Sequence, residues 1–508
     1  MEASLPIDGV ILAVAALLAL GLLGTTVVRR TPVPSLLVSL AIGMALGSDG
    51  LGWVDVGFAD LDWVQGASIA ALVLVLFSGG LSTPTAAVRE AGPAAALMAT
   101  AGVGLTMGVV ALVARPLLDV ELETALLLGA VVASTDAAAI FSALRDAPIP
   151  GRVRSLLEVE SGFNDPTAVL LTVGVLEATR RSPSADEWLA FGLRQLGGGA
   201  LVGVAVGVAA AVVLQRARFH SSATAAVAAL TAGGLAFGLA TLVGGSGLLA
   251  TYVAGVVIGG RVTRHLRLVR GLHASLGEAA EIGLFLLLGL LVFPSQLPEQ
   301  AGRGLLIAVV LTFVARPFAV GVLLPWFGYR PRELTLIAWA GLRGAVPIVL
   351  ATFPLIDGHP AGLTIFNVVF FVVVLSTAAQ AMTVAPLARR LGLAAEPEPW
   401  RAVVETVPVD RLGGELVELD LGPASPVAGR LLREVPLPAR CRVTALIRGD
   451  DVVVPDGDTR LADHDHLLVL APDAGAGTEA LRRWAGERPA RRVPGSSPTT
   501  ATPPAPEA

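Results

Sequence analysis

The 508-residue chain contains no lysine, so arginine supplies all 36 of its basic residues. Alanine and glycine are abundant as well, and we attribute the arginine bias to the base composition of the genome rather than to selected chemistry. The single cysteine, Cys441, excludes an intramolecular disulfide bond. No tract of basic residues is present and the formal net charge is -5, so no nucleic-acid polymer is expected as a partner.

Charged residues make up only 15% of the chain, whereas 54% of it is hydrophobic. Apolar stretches of about 20 residues, long enough to cross a hydrocarbon core about 30 Å thick, recur through the first three-quarters of the sequence. The predicted fold class is an all-α polytopic membrane protein with about thirteen transmembrane helices. The predicted spans are 7–28, 33–47, 66–82, 91–114, 122–144, 155–178, 190–214, 222–243, 247–260, 276–293, 303–326, 333–352 and 362–388.

The arginines predict the orientation of these spans. They fall in alternate loops, from Arg29 and Arg30 after the first span to Arg389 and Arg390 after the last, whereas the intervening loops mostly carry acids or no charge. Arg180 and Arg181 depart from this pattern, with Asp186 and Glu187 beside them. Because positively charged loops stay on the cytoplasmic side, the N-terminus is expected outside and the C-terminus in the cytoplasm. The predicted location is the inner (plasma) membrane of the cell.

The remainder of the chain has a different pattern. Residues 1–394 form the predicted transmembrane domain, residues 395–401 a linker, and residues 402–485 a small cytoplasmic α/β domain. In this last domain ELVELDL and DHLLVLAP alternate like strands, CRVTALIRGDDVVVPDG is typical of a hairpin, and SPVAGRLLREV predicts a short helix capped by Ser425. The Pro-, Ser- and Thr-rich residues 486–508 are predicted to be a disordered tail.

The stretch ESGFNDP leads into an apolar run and contains two acids and an amide, Glu160, Asn164 and Asp165. A charged side chain at the centre of a bilayer costs roughly 2.5–3.5 kcal/mol on insertion scales, so such residues are functional candidates. We interpret Asp165 as a cation ligand that alternates between a protonated and a cation-bound form, with Glu160 and Ser161 extending its polar face. The alternative is that Asp165 caps a helix at the membrane surface.

A further acid, Asp136, interrupts the apolar run LLLGAVVASTDAAAIFSAL. The hydroxyls of Ser134 and Thr135 and unwound backbone carbonyls offer hard oxygen ligands that suit an alkali cation. If the helix breaks here, Asp136 also balances the N-terminus of a half-helix. The alternative is a polar spot between tightly packed helices.

Two arginines lie within later spans. Arg343 is bracketed by glycines and a proline in GLRGAVPI, and a cation there would offset the C-terminal ends of half-helices. Arg316 in LTFVARPFAV needs an acidic partner, and we predict a structural ion pair with Glu160. Either arginine could instead extend to the membrane surface. Interruptions in comparable positions of two halves predict inverted repeats, with two broken helices crossing beside Asp165.

The motifs STDAAAIFSAL, LEVESGFNDPTAVLLT, FVARPFAV and WAGLRGAVPI resemble those of the monovalent cation:proton antiporter-1 family, of the NhaP-like type. The similarity covers roughly residues 7–390. It implies exchange of K⁺ or Na⁺ against H⁺ by a homodimer whose core domain moves as an elevator, and a role in pH homeostasis. It also implies an ion pair between Glu160 and Arg316.

The resemblance further implies a set of cation ligands: Asp165 and Ser161 directly, with Thr135 and Asp136 acting through backbone or water. Asn164 stands where electrogenic relatives carry a second aspartate. The resemblance therefore implies one proton per cation and electroneutral exchange. Some branches of the family also carry an acid in the third span, whereas FSGGL in this chain has none.

The C-terminal domain resembles a TrkA-C (RCK C-terminal) domain, which implies a regulator of nucleotide type. With this tail the chain looks most similar to the potassium/proton branch. A Na⁺/H⁺ antiporter of the same fold, a cation channel gated by the tail and a non-transporting sensor are the alternatives, although a channel lacks any TVGYG-like filter here. No enzymatic activity, cofactor or resident metal is predicted, and the expected partners are K⁺ or Na⁺, H⁺ and membrane lipid.

Overall fold

The computed structural model describes residues 7–28, 34–57, 60–136, 139–140, 143–144, 149–181, 184–217, 222–262, 266–394, 403–409, 414–422, 425–438, 440–449, 451–471 and 476–486. The chain forms two compact units, Met1–Ala395 and Glu396–Ala508. The predicted linker at 395–401 and the predicted tail beyond residue 486 lie outside the described residues, as do Arg29 and Arg30.

The first unit is built from helices. Their bounds are α1 Ile7–Val28, α2 Ser35–Leu46, α3 Leu61–Ser82, α4 Thr85–Leu97, α5 Val103–Leu118, α6 Leu122–Val132, α7 Gly151–Arg180, α8 Ala185–Leu193, α9 Gly199–Arg216, α10 Ser222–Leu242, α11 Gly247–Arg261, α12 Leu266–Leu290, α13 Leu297–Val310, α14 Arg316–Leu323, α15 Pro331–Trp339, α16 Ala345–Ile356 and α17 Gly362–Arg390. Short π-helical turns at Met98–Gly102, Arg194–Gly198 and Leu311–Ala315 join consecutive α-helices. Each of the predicted spans contains helix.

A mostly helical membrane fold is therefore confirmed. Within the described residues, seven helices are long and apolar enough to cross a membrane, and shorter apolar helices of 10–17 residues accompany them. The count of thirteen crossings stays a prediction. The clearest difference in boundaries is at α12, which begins at Leu266 rather than at residue 276. Its first turns contain both arginines and leucines, and their low hydropathy kept them out of the predicted span.

Two helices of this unit are interrupted where the sequence has its polar motifs. α6 ends at Val132, and residues 134–136 are not helical. Residues 341–344, between α15 and α16, are not helical either. The two breaks meet, because the backbone amide of Asp136 donates to the carbonyl of Leu342 over 2.9 Å. Irregular backbone is tolerated at membrane depth only where protein or water covers it, as it is here by the second break.

Close packing of helices positions these breaks. Gly255 on α11 approaches α3 so closely that a Cβ on it would lie 2.7 Å from the carbonyl oxygen of Phe77. Small residues permit such contacts between helices in a membrane, where apolar side chains gain little by leaving lipid. α12 packs against α2 and α3, whereas α7 packs against α4 and α6. These two groups of helices supply different walls of the cavity described below.

The second unit contains a five-stranded antiparallel sheet in the order β1-β2-β5-β3-β4. The strands are β1 Val403–Val409, β2 Gly414–Asp420, β3 Arg442–Arg448, β4 Asp451–Val453 and β5 His466–Ala471, and a helix, α18, covers Ala476–Ala485. The predicted strands and the hairpin are present. β1 and α18 were not expected from the sequence.

The predicted helix at SPVAGRLLREV is wrong. This segment forms turns and a short 3₁₀ helix, Leu432–Glu434, because its backbone pairs with the segment that precedes β5. The amide of Gly429 donates to the carbonyl of Leu461 over 2.8 Å. Gly429 also has a positive φ of 80°, which ends any local helix. The Ser425 hydroxyl donates to the carbonyl of Ala485 rather than capping a helix.

Candidate functional site

The break after α6 presents polar groups inside the helical unit. Ser134 and Thr135 are buried and Asp136 is half-buried. The Asp136 carboxylate accepts a hydrogen bond of 3.3 Å from the amide of Ala139, where helical structure resumes. This is the geometry of an N-terminal cap, so Asp136 neutralises the positive end of the half-helix that follows, as the sequence predicts.

The polar face of α7 lies against this break. The Ser161 hydroxyl donates to the backbone carbonyl of Thr135 over 2.9 Å, and the Asn164 amide donates to the Thr135 hydroxyl over 2.6 Å. Asn164 is fully buried, and its amide oxygen has no hydrogen-bond partner in the part of the chain that the structure describes. Asp165, in the same turn, is 7% exposed and close enough to Ser134 to share a hydrogen bond with it.

The position of Asp165 along its helix decides between two interpretations. α7 begins at Gly151 and continues to Arg180 with Pro166 inside it. Asp165 therefore lies in the middle of a long helix, and the alternative that it caps a helix at the membrane surface is wrong. A charged acid buried in mid-helix is costly to bury, so a residue of this kind is a functional candidate.

A cavity of about 40 Å³, room for roughly three water molecules, lies beside Asp165. Its polar lining consists of Ser134, Thr135, Asp136, Asp165 and Glu281, and the start of α16 closes another side. Carboxylate, hydroxyl and carbonyl oxygens are the ligands that hard cations prefer. The cavity can therefore hold a dehydrated monovalent cation or a proton on a carboxylate.

The predicted ligands are not all at the cavity. Ser161 and Asn164 are absent from its described lining and instead hold Thr135 in place from behind. Of the predicted cation-binding residues, the structure thus brings Asp165, Thr135 and Asp136 to the cavity itself.

Arg343 lies in the second break and is 1% exposed. Its guanidinium donates to the backbone carbonyls of Ser134, over 2.7 Å, and Ala133, over 3.2 Å, at the C-terminal end of α6. Its own carbonyl accepts a hydrogen bond of 2.7 Å from Thr377. A positive charge at a helix C-terminus offsets the negative end of the dipole, which is the role expected from the sequence. Arg343 does not extend to the membrane surface.

Glu160 and Arg316 are both buried and face each other in a bidentate pair. One guanidinium nitrogen donates to Glu160 over 2.9 Å, and the second makes a shorter contact with the other carboxylate oxygen. Paired in this way, both charges can remain in the protein interior. The pair connects α14 to α7 one turn before Asp165.

Sequence reasoning missed Glu281. The predicted span at 276–293 places Glu281 near its start, but α12 begins at Leu266, and Glu281 lies on its inner part with its side chain at the cavity. The signal that could have found it is the position of this acid directly before the uninterrupted apolar sequence IGLFLLLGL.

Comparison with known proteins gives consistent matches for both units. The transmembrane part of the sodium/hydrogen exchanger family matches residues 14–390, and the TrkA-C domain matches residues 416–484. The K⁺/H⁺ antiporter NhaP of Alkalimonas amylolytica is 36% identical over 471 residues, which are 91% of this chain and 80% of the relative. The K⁺/H⁺ antiporter NhaP2 of Shewanella baltica is 33% identical over 469 residues, 90% of this chain and 80% of the relative.

Among solved structures, the sodium proton antiporter MjNhaP1 of Methanocaldococcus jannaschii matches with a TM-score of 0.66 and 22% identity. The match covers 76% of this chain and 99% of that chain. At this identity the likeness bears on the fold alone.

Proposed function

Because the chain belongs to the sodium/hydrogen exchanger family, we propose that it is a secondary antiporter that exchanges K⁺ for H⁺ across the inner membrane. K⁺ is the cargo in the names of relatives at 33–36% identity, and this supports K⁺ over Na⁺. The observation that carries the proposal is the buried carboxylate of Asp165 beside two helix breaks and a small polar cavity.

Asp165 is the exchanging group. Its carboxylate binds either a proton or the cation, never both, so the two ions compete for one site. Thr135 and Asp136 complete the cation's surroundings through hydroxyl, backbone or water. Ser161 and Asn164 act through Thr135, since both are hydrogen-bonded to it.

Three charged residues keep this site in shape without exchanging cargo. Glu160 and Arg316 neutralise each other next to Asp165, so neither competes for the transported ion. Arg343 compensates the open end of α6 and fixes the crossing of the two breaks.

One exchanging carboxylate, with Asn164 as its neutral neighbour, gives one proton per cation and electroneutral exchange. The site alternates by elevator movement of a core domain within a homodimer, and the two breaks belong to inverted repeats. The N-terminus is outside and the C-terminus cytoplasmic. The C-terminal domain at 402–485, which contains the TrkA-C match, regulates exchange through a nucleotide-type ligand.

The central test compares Asp165→Asn with wild type in everted membrane vesicles loaded with a pH-sensitive dye. Addition of K⁺ to wild type should dequench the dye, and Asp165→Asn should abolish the response. Asp119→Asn is the matched control, because Asp119 is an exposed loop acid whose left-handed backbone (φ 53°) asparagine also accepts. Full exchange by Asp165→Asn would refute the proposal.

Cargo and stoichiometry need purified protein in proteoliposomes. Exchange is compared for K⁺, Na⁺, Li⁺ and Rb⁺, with and without residues 395–508. A preference for Na⁺ would replace K⁺ by the Na⁺/H⁺ alternative, and dependence of the rate on an imposed membrane potential would reject electroneutral exchange. Single-channel currents would instead favour a cation channel gated by the tail.

A further inference from the structure

The walls of the cavity differ in chemistry. The break of α6 and the centre of α7 contribute oxygen-bearing side chains, from Ser134 to Asp165. α3 contributes only the apolar residues Leu72, Val75 and Leu76. α12 contributes Leu284 and one acid, Glu281, which is the only polar side chain that these two helices bring to the described lining.

The surroundings of Glu281 do not explain why this residue is an acid. Within the described part of the chain, the structure records no hydrogen bond and no salt bridge for its carboxylate. The neighbouring residues Ala280 and Ile282 are apolar, and the chain stays apolar to the end of α12. An acid in such a place is expensive, and acids inside membranes that have no structural partner commonly mark ion pathways.

We propose that Glu281 contacts the transported cation from the α3–α12 wall, while Asp165 holds it from α7; this inference rests on the proposed function. Its carboxylate supplies the oxygen that this wall otherwise lacks. Because α12 packs against α2 and α3 whereas α7 packs against α4 and α6, a cation held by both acids links the two groups of helices. Glu281 and the exchanging group, Asp165, thereby together determine cation affinity and ion preference.

The test uses full-length protein in proteoliposomes and the variants Glu281→Gln, Glu281→Asp and Glu278→Gln. Glutamine keeps the size of the side chain and one oxygen but removes the charge. Glu278 lies one turn earlier on α12 and is exposed, so Glu278→Gln is a control for loss of one negative charge from the same helix. The measurements are the half-saturating K⁺ concentration, the maximal rate, and the increase of the unfolding temperature that K⁺ causes.

We expect Glu281→Gln to raise the half-saturating K⁺ concentration about tenfold, as the loss of one charge-assisted contact does, and to reduce the K⁺-dependent increase in unfolding temperature. A merely structural role would lower the maximal rate or the unfolding temperature without K⁺ and leave the half-saturating concentration unchanged. That result, or equal shifts in Glu281→Gln and Glu278→Gln, would overturn the inference.

Glu281→Asp decides the matter if Glu281→Gln is not recovered as folded protein. The shorter acid should alter the ranking of K⁺, Na⁺, Li⁺ and Rb⁺, since it moves the oxygen away from the cation; an unchanged ranking and affinity would reject the role. Wild type and Asp165→Asn are purified, reconstituted and measured in parallel. An inactive wild type rejects the proposed function, whereas an active wild type with unaltered Glu281 variants rejects only the contribution of Glu281.

Discussion

The guanidinium of Arg343 donates to the backbone carbonyl of Ser134 over 2.7 Å and so closes the end of α6 with a charge from the other broken helix. Carbonyls at the end of a helix lack intrahelical donors, and inside a membrane no bulk water replaces them. Arg343 therefore belongs to the break before α16 and satisfies the backbone carbonyls of the break after α6. Together with the bond from the amide of Asp136 to the carbonyl of Leu342, this contact joins the two breaks.

We expect Arg343→Gln to abolish exchange and to lower the free energy of unfolding by about 1–3 kcal/mol, because buried carbonyls lose their donor. Arg343→Lys keeps the charge and should retain part of both. Dye dequenching in vesicles and thermal unfolding in detergent measure the two effects. Arg332→Gln is the control, since Arg332 is exposed at the start of α15. An equal loss in both glutamine variants would contradict this account.

Gly344 passes so close to Asp136 that a Cβ on it would overlap the carboxylate. The obstacle to alanine at this position is the space that the Asp136 carboxylate occupies. Gly344→Ala should separate the breaks, abolish exchange and cost about 1–3 kcal/mol in stability. Gly321→Ala is the control, since Gly321 on α14 has open space around it and should tolerate a methyl group. Wild-type exchange by Gly344→Ala would show that the breaks need not touch.

Glu160→Gln should lower the free energy of unfolding by about 3–5 kcal/mol, because it leaves the buried charge of Arg316 without a partner. Glu158→Gln, two residues earlier, removes an acid that pairs with the exposed Arg154 at 3.5 Å and should change stability by less than about 1 kcal/mol. Thermal unfolding of the purified variants compares the two. The double variant Glu160→Gln with Arg316→Gln should recover part of the loss, and a further loss in the double variant would argue against the pair.

Cys441 is the single thiol of the chain and is 7% exposed in the core of the second unit. Its rate of reaction with a maleimide therefore reports opening of that unit alone. Arg448→Ala should speed labelling, since the fully buried Asp465 loses two hydrogen bonds of 2.7 Å, an effect of about 1–3 kcal/mol. Arg433→Ala is the control, because it removes an exposed ion pair with Asp458 in the same unit. Equal labelling rates for the two variants would contradict the role of Arg448.

Much of the membrane unit could be predicted from its sequence, because a bilayer leaves few solutions. Apolar length predicts helices, and acids or glycines within apolar runs predict the breaks near Asp136 and Arg343. A buried guanidinium such as that of Arg316 needs an acid, and Glu160 was predicted as its partner, in agreement with the family resemblance. These inferences rest on costs that are large and local.

The errors came where tertiary contacts decide. Low hydropathy before residue 276 placed Glu281 near the start of its predicted span, although the structure extends this helix back to Leu266 and brings Glu281 to the cavity. In the second unit, helical periodicity around Ser425 was overridden by backbone pairing with the segment before β5. Neither outcome can be predicted from the spacing of residues along the chain.

The cavity next to Asp165 has about 40 Å³ of free space, room for roughly three water molecules. In the proposed antiporter, a cation held there keeps only the few waters that this volume admits, and protein oxygens must compensate for the others. The free energy needed to dehydrate the cation should therefore limit the turnover rate as much as the affinity of the site does. In the proposed antiporter, the small volume of this cavity would favour the cations that lose their water most easily.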